Sequence, residues 1–447
     1  MLSATLKLPG YFRACSDEVL QRAFENYGLE HDSRKAIAET KLEVARRYDV
    51  PGMTRVATIC HWGRSGSLLL ASYLDGHPDV VAMPYSTSES IYQFFQDYGT
   101  LSIWEKLIVY PTYSGCKKKT EGDFFLKDNP SGDFAIDAAD YYAAVNVLFG
   151  LYVDESEDWL ESRRAFFQMV HAAYGIAIGS CPENSRPLMV HAQHYLNEEM
   201  AKRLIEDFPR AKFMHTIRDP ITGVDSWFDR KLDMESFGCN YRIDLSPRYL
   251  DSAVGAMLDL LAWDGGHEAM DTHTRAIRFE DMHVAPDATM RRVAEWLDIS
   301  YRPCLIESTW NRVPYVVTIR GVASCGANPA NAQRRSRNLT LTDRLVIFAL
   351  LHDNFVTWKY PYPTKMDQRW VRICVVALLW LFPMKIEVLT ARLILAGQAL
   401  PGLRQGRIGF ALRAPLFILK RRIRMMWLIA QEARRRVGRK YTVMKLV

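Results

Sequence analysis

Short runs of consecutive apolar residues alternate along this chain with longer stretches in which apolar positions recur every three or four residues. RVATIC (55–60) is a run of the first kind, bounded by Pro51-Gly52 and by HWGRSG, and reads as a buried strand. SLLLASYL (67–74) is apolar and helix-forming, and ends near Gly76-His77-Pro78. The pattern returns later. LMVHA (188–192) reads as a strand, and NEEMAKRLIEDF (197–208) as a helix capped by Asn197. KFMHTI (212–217) is a further strand, followed by a helix with Pro220 in its first turn. A longer helix (248–264), the strand RAIRFE (275–280) and the helix DATMRRVAEWL (287–297) complete the series. Residues 15–47 read as helical, with Ser16/Asp17 at the start and Gly28 as a stop. Alternating strands and helices predict an α/β fold: a parallel sheet flanked by helices. Residues 86–185 are mixed and show no motif.

The end of the chain breaks this pattern. ICVVALLWLFPM (373–384) is apolar but only twelve residues long, short of the roughly 20 that a membrane span needs. RAPLFILKRRIRMMWLIAQEARRR (413–436) mixes apolar and basic residues, as helices in a membrane interface do. The same pattern also fits helices that pack on the body or on a second copy of the chain. The division expected is an N-terminal helical segment (1–50), an α/β domain (51–365) and a basic, helical C-terminal extension (366–447).

Charge sharpens that division. From Arg369 to Val447 there are 17 lysines and arginines against Glu387 and Glu432, a net +15. The remaining 40 basic and 49 acidic residues give −9, so the overall +6 conceals two surfaces of opposite sign. An anionic membrane surface is the expected partner of the tail. Nucleic acid fits its charge alone, with no reading motif beside it. The eight cysteines include no CxxC or CxH spacing, which argues against a metal cluster, a redox motif or a disulfide framework. MLSATLKLPGYFRACSDEV lacks a basic region followed by an apolar run, so no leader is expected, and Asn338-Leu339-Thr340 reads as a chance sequon. The expected location is cytoplasmic, peripheral on the membrane face.

Two constellations carry chemistry. Gly63-Arg64-Ser65-Gly66-Ser67 lies between a predicted strand and a predicted helix. Such a loop gathers backbone N–H groups at a helix N-terminus, where an anion is favoured. Ser65 and Ser67 add hydroxyl donors, and Arg64 adds a forked cation. The loop is not GxxxxGK[ST], and Ser67 stands where a GxSxG nucleophile elbow needs glycine. An ordinary tight turn explains the loop equally well. The second constellation is Arg218, at a strand end, with Ser226 eight residues on. The pair suits a phosphate, or else Arg218-Asp219 is a structural ion pair.

Taken together, these segments resemble the sulfotransferase family. ICHWGRSGSLLLASYLDGHPDVVAMPY looks like the 5′-phosphosulfate loop of carbohydrate and tyrosyl-protein sulfotransferases and their bacterial relatives, with Arg64-Ser65-Gly66-Ser67 and His77-Pro78-Asp79-Val80 matching in residues and spacing. Arg218-Asp219-Pro220 with Ser226 looks like the family's site for the donor's 3′-phosphate. IRFEDM (277–282) and PDATMRRVAEWLDI look like its later strand and helix. The resemblance covers roughly residues 53–360. It implies an α/β enzyme with a P-loop-like sheet that moves a sulfuryl group from 3′-phosphoadenosine-5′-phosphosulfate (PAPS) to an acceptor hydroxyl without a metal; the basic, apolar tail adds a lipid or glycolipid as the first expected acceptor and a soluble carbohydrate as the second. Donor binding falls to Arg64, Ser65, Gly66, Ser67, Leu68, Arg218 and Ser226, and by a looser match to Arg335. Arg64 is expected to neutralise the leaving phosphate.

The proton acceptor is less clearly marked. Many relatives place a glutamate just after the His-Pro turn, where this chain has Met83-Pro84-Tyr85; the next carboxylate is Glu89. Others use a histidine after the preceding strand, and His194 in VHAQHYL stands there, without the lysine that relatives carry nearby. His194 leads, Glu89 follows, and His191 and His61 remain as further choices. A kinase lacks its lysine and Mg²⁺ motif here. A non-catalytic membrane adaptor that keeps the nucleotide fold is the rival from outside the enzymes.

Overall fold

The computed structural model describes residues 16–29, 31–61, 65–83, 91–116, 136–194, 198–226, 272–319, 322–333, 339–378, parts of 381–404, 408–437, 443 and 445–447. Its centre is a five-stranded sheet of β1 (Val56–His61), β2 (Val80–Ala82), β3 (Leu188–His194), β4 (Lys212–Ile217) and β5 (Thr274–Arg278), in the order β2-β3-β1-β4-β5. β1 pairs in parallel with both β3 and β4, and β2 pairs in parallel with β3. Val56, Ala57, Ile59, Met189, Phe213 and Met214 are all buried. That is the continuous apolar run expected of strands covered on both faces.

Contacts divide the chain into two compact units. The first comprises Met1–His61, Gly66–Thr216 and Asp281–Pro329; the second comprises Trp62–Ser65, Ile217–Glu280 and Ala330–Val447. In the first unit, α1 (Ser16–Leu29) and α2 (His31–Ala45) precede β1, and α3 (Ser67–Asp75) follows it. α3 is apolar nearly all round and almost wholly buried, as a helix of that pattern must be. Its last residue, Asp75, is buried and accepts hydrogen bonds from Thr309 Oγ1 at 2.9 Å and from the Arg312 N–H at 2.7 Å.

The His-Pro turn after α3 has a structural task. The Asp79 N–H donates to His77 Nδ1 at 3.1 Å, so Nε2 carries the proton and donates to the Ser300 carbonyl at 2.8 Å. Burial holds the His77 pKa below its ordinary value, consistent with a neutral ring. The turn delivers the chain into β2, a strand of three residues that is too short to show a period in the sequence.

Among the described residues of 86–185, helices prevail: α4 (Ile91–Asp97), α5 (Ile103–Cys116), α6 (Ala138–Tyr152) and α7 (Arg163–Ala177). Asp137 caps α6 by accepting from the Ala139 N–H, and Ser162 caps α7 by accepting from the Ala165 N–H. α7 buries every residue from Ala165 to Ala177, including Gln168 and His171. Gln168 donates to the carbonyls of Met53 and Pro51, fixing the approach to β1. α8 (Glu198–Asp207) joins β3 to β4, as its pattern predicts.

The second unit has its own core. Ile217, Val224, Ala276, Ile347, Phe355, Tyr360 and Ile429 belong to one buried cluster. β5 ends two residues earlier than RAIRFE suggested: Phe279 and Glu280 open α9 (Phe279–Val284), and α10 (Pro286–Leu297) follows in the first unit. Further on come α11 (Leu341–Leu350), α12 (His352–Thr357), α13 (Arg369–Leu378) and α14 (Ile408–Arg436). Thr340 and Asp343 form a reciprocal capping box at the start of α11. The chain then returns to β5: the Ala276 N–H donates to the Lys445 carbonyl at 2.8 Å, and the Val447 N–H donates to the Ala276 carbonyl at 3.0 Å. Within the apolar segment 373–384, residues 373–378 form the described end of α13, and Met384 joins the buried cluster.

Candidate functional site

Parallel pairing sets the geometry. Cys60 of β1 lies in register with His215 of β4, and His61 lies in register with His194 of β3. The carboxyl ends of three neighbouring strands therefore share one edge of the sheet. In open α/β sheets that edge is where ligands bind, where successive connections leave in opposite directions. The loop after β1 and the residues after β4 both begin there.

Gly66 has φ +94° and is the N-cap residue of α3. A side chain at that φ meets its own backbone, so glycine is required. The Leu70 N–H donates to the Gly66 carbonyl at 3.1 Å and closes the first turn. The N–H groups of Ser67, Leu68 and Leu69 precede that bond, and they are the groups for which a helix supplies no internal acceptor. Ser65 and Ser67 are buried, at 5% and 8% exposure, while Leu68 is 38% exposed. The local chain thus offers amides and hydroxyls suited to an anion. Arg64 lies outside the described residues, as do Glu89 and Arg335.

Arg218 follows β4 directly, and three neighbours of the second unit set its place. Its guanidinium carbon lies 4.4 Å from the centre of the Phe279 ring, a cation–π contact. Asp219 caps the helical turn 220–226 by accepting from the Thr222 N–H at 2.9 Å. The Asp219 N–H donates to Glu280 Oε1 at 3.0 Å, and the Tyr360 hydroxyl donates to Glu280 Oε2 at 2.7 Å. Tyr360 in turn carries Arg278 over its ring at 4.5 Å. Burial raises the Asp219 pKa, and the nearby Glu280 pushes in the same direction. Ser226, within the same helical stretch, is 2% exposed. The aspartate of the Arg-Asp-Pro motif is therefore a helix cap. Phe279, Glu280 and Tyr360 are the supports that sequence reasoning missed, because Tyr360 stands 80 residues from its partner carboxylate.

The histidines separate clearly. His194 ends β3 at the shared edge. His191 is 3% exposed, bonds Thr58 Oγ1 through Nε2 at 2.8 Å, and is pushed down to about 3 by burial and by nearby His171. A ring so placed is a neutral core residue, so His191 drops out as a candidate base. Among the described residues, no group of three or more His, Cys, Asp or Glu is placed to hold a metal ion.

The sequence model of the sulfotransferase family matches residues 59–303, just over half of the chain. The chain belongs to the sulfotransferase family. The match takes in the loop after β1, the Arg218 turn and the α9–α10 segment. Among solved structures, this sulfotransferase is similar to the sulfotransferase domain from the curacin biosynthetic pathway, at 17% identity over 73% of this chain and 97% of that one, with a TM-score of 0.31. It is also similar to the sulfotransferase domain of the Synechococcus PCC 7002 olefin synthase, at 15% identity over 63% and 83% with a TM-score of 0.29. A sulfotransferase of Mycobacterium avium matches at 14% identity over 57% and 66%, with a TM-score of 0.28. No curated protein matches the sequence.

Proposed function

We propose that this sulfotransferase takes its sulfuryl group from PAPS and transfers it to a hydroxyl of a lipid, glycolipid or carbohydrate. The observation that carries the reading is the adjacency of β1 and β4, whose carboxyl ends lead into the Gly66 turn and into Arg218. A donor with phosphate groups at both ends of an adenosine needs two such anion-binding points. Ser65, Gly66, Ser67 and the Leu68 amide take the 5′ end, with Arg64. Arg218 and Ser226 take the 3′-phosphate, with Arg335 as a further cation.

In the transfer, the acceptor oxygen forms a bond to sulfur while the bond from sulfur to the 5′-phosphate oxygen breaks. 3′-Phosphoadenosine-5′-phosphate leaves with the electron pair, and Arg64 offsets its growing charge. The acceptor's proton passes to a base. His194, at the carboxyl end of β3, is the first choice, and Glu89 the second. A lipid or glycolipid acceptor is favoured over a soluble carbohydrate by the basic, apolar-rich tail.

The test is transfer from labelled PAPS to a lipid extract and to soluble carbohydrates, with products identified by mass spectrometry. Sulfated product that disappears in Arg64→Ala supports the reading. PAPS binding without any acceptor-dependent turnover rejects it in favour of a binding role.

A further inference from the structure

We propose that α14 is a membrane-surface helix that beds an apolar stripe into the anionic face of a lipid bilayer. The stripe is Ile408, Leu412, Leu416, Leu419, Ile423 and Trp427, each between 54% and 70% exposed. At 3.6 residues per turn these six project within an arc of about 100°. Arg413, Lys420 and Arg424, all exposed, fall on the adjoining arc, within about 60° of the stripe. Met426, in line with Ile408 at the stripe's other edge, and Ile429, about 60° beyond it, are 5% and 0% exposed, so that this edge meets the core near the C-terminal end of the helix. An isolated exposed leucine needs no explanation, but six aligned along one helix do.

The occupant follows from shape and charge. Over its 29 residues α14 carries eight arginines and lysines and one acidic residue, Glu432. A second copy laid on the stripe would bring like charge against like charge. A bilayer with anionic headgroups supplies an apolar phase and opposite charge in one plane, which suits a stripe running roughly 29 Å along the helix. Lys420, Arg422 and Arg424 sit in the middle of the helix, so it lies on a bilayer and does not cross it. Among the described residues, no helix is long and apolar enough to span one. On its inner side, Ile429 belongs to the core of the second unit, and Arg422 pairs with Glu387 at 2.8 Å. The helix is therefore held with this face outward. The proposal stands apart from the transfer chemistry, because it is read by partition alone.

The experiment is vesicle flotation of the purified full chain. Vesicles of phosphatidylcholine containing about one-third phosphatidylglycerol should retain roughly ten times more protein than phosphatidylcholine alone. Raising the salt should reduce that retention, as headgroup attraction is screened. Leu416→Glu with Ile423→Glu should lower the partition at least about tenfold, and Lys420→Gln with Arg424→Gln should lower it roughly fivefold per charge removed. These positions are exposed, and unchanged circular dichroism confirms that the variants fold. No flotation at low salt overturns the proposal, as does equal flotation of the double-glutamate variant. A concentration-dependent dimer that Leu416→Glu dissociates, without vesicle binding, also overturns it and assigns the stripe to a second copy.

Discussion

Glu280 Oε1 accepts the backbone N–H of Asp219 at 3.0 Å, so a carboxylate from α9 fixes the turn on which Arg218 is mounted. Its other oxygen takes the Tyr360 hydroxyl at 2.7 Å. Glu280→Ala leaves a backbone donor and a buried phenol without this acceptor, a loss of about 1–3 kcal/mol. The expected signature is a several-fold rise in KM for the donor with a smaller change in kcat. Glu280→Gln keeps one carbonyl oxygen and should recover part of the loss. An unchanged donor KM in Glu280→Ala would show that the turn holds without it.

Arg218 and Arg64 should fail in different ways. Removing a charged hydrogen-bonding partner costs about 1.5–3 kcal/mol, so Arg218→Ala should weaken donor binding roughly 10- to 150-fold. Arg64→Ala removes charge stabilisation on the leaving group and should lower kcat by about 10²–10³. Titration calorimetry with 3′-phosphoadenosine-5′-phosphate separates the two. Arg64→Ala should still bind the product, whereas Arg218→Ala should bind it poorly.

Gly66 is the most restrictive backbone position in the loop after β1. At φ +94°, Gly66→Ala introduces a strain of about 1–2 kcal/mol and tilts the first amides of α3. Both thermal stability and donor affinity should fall together. A variant with normal affinity would show that those amides do not meet the donor.

Acid should destabilise the first unit through a buried histidine pair. Burial pushes His171 down to about 4, and burial with the His171 charge pushes His191 down to about 3. Both rings are neutral when folded, whereas the unfolded chain binds protons near pH 6.5. Their contribution is therefore complete above about pH 6.5 and is lost as the pH falls toward about 4 and then about 3. Two such groups give a slope of up to about 2.7 kcal/mol per pH unit. His191→Gln can still bond Thr58 and should roughly halve that slope in urea titrations at pH 7, 6 and 5. Equal slopes would assign the acid sensitivity elsewhere.

Much of the sheet was legible because its strands are covered on both faces and read as uninterrupted apolar runs, as RVATIC and KFMHTI do. The helices between β2 and β3 were not. α6 is apolar nearly all round and so shows no clean 3.6-residue period, while α7 buries Gln168 and His171, residue types that ordinarily mark a solvent-facing side. In the candidate site, the residues proposed to bind the donor stand in local motifs. Their supports do not, since the Glu280–Tyr360 bond joins positions that no local pattern connects. The helix 248–264 and the residues Arg64, Glu89 and Arg335 lie outside the described residues.

Arg218 and the long C-terminal helix belong to the same compact unit, and Ile217, beside Arg218, shares a buried cluster with Ile429 of that helix. If the helix rests on lipid, the arginine cannot drift from it as it could on a flexible tether. Its height above the headgroups becomes a fixed length, and acceptors would then be selected by how far their hydroxyl stands from the bilayer as well as by their chemistry.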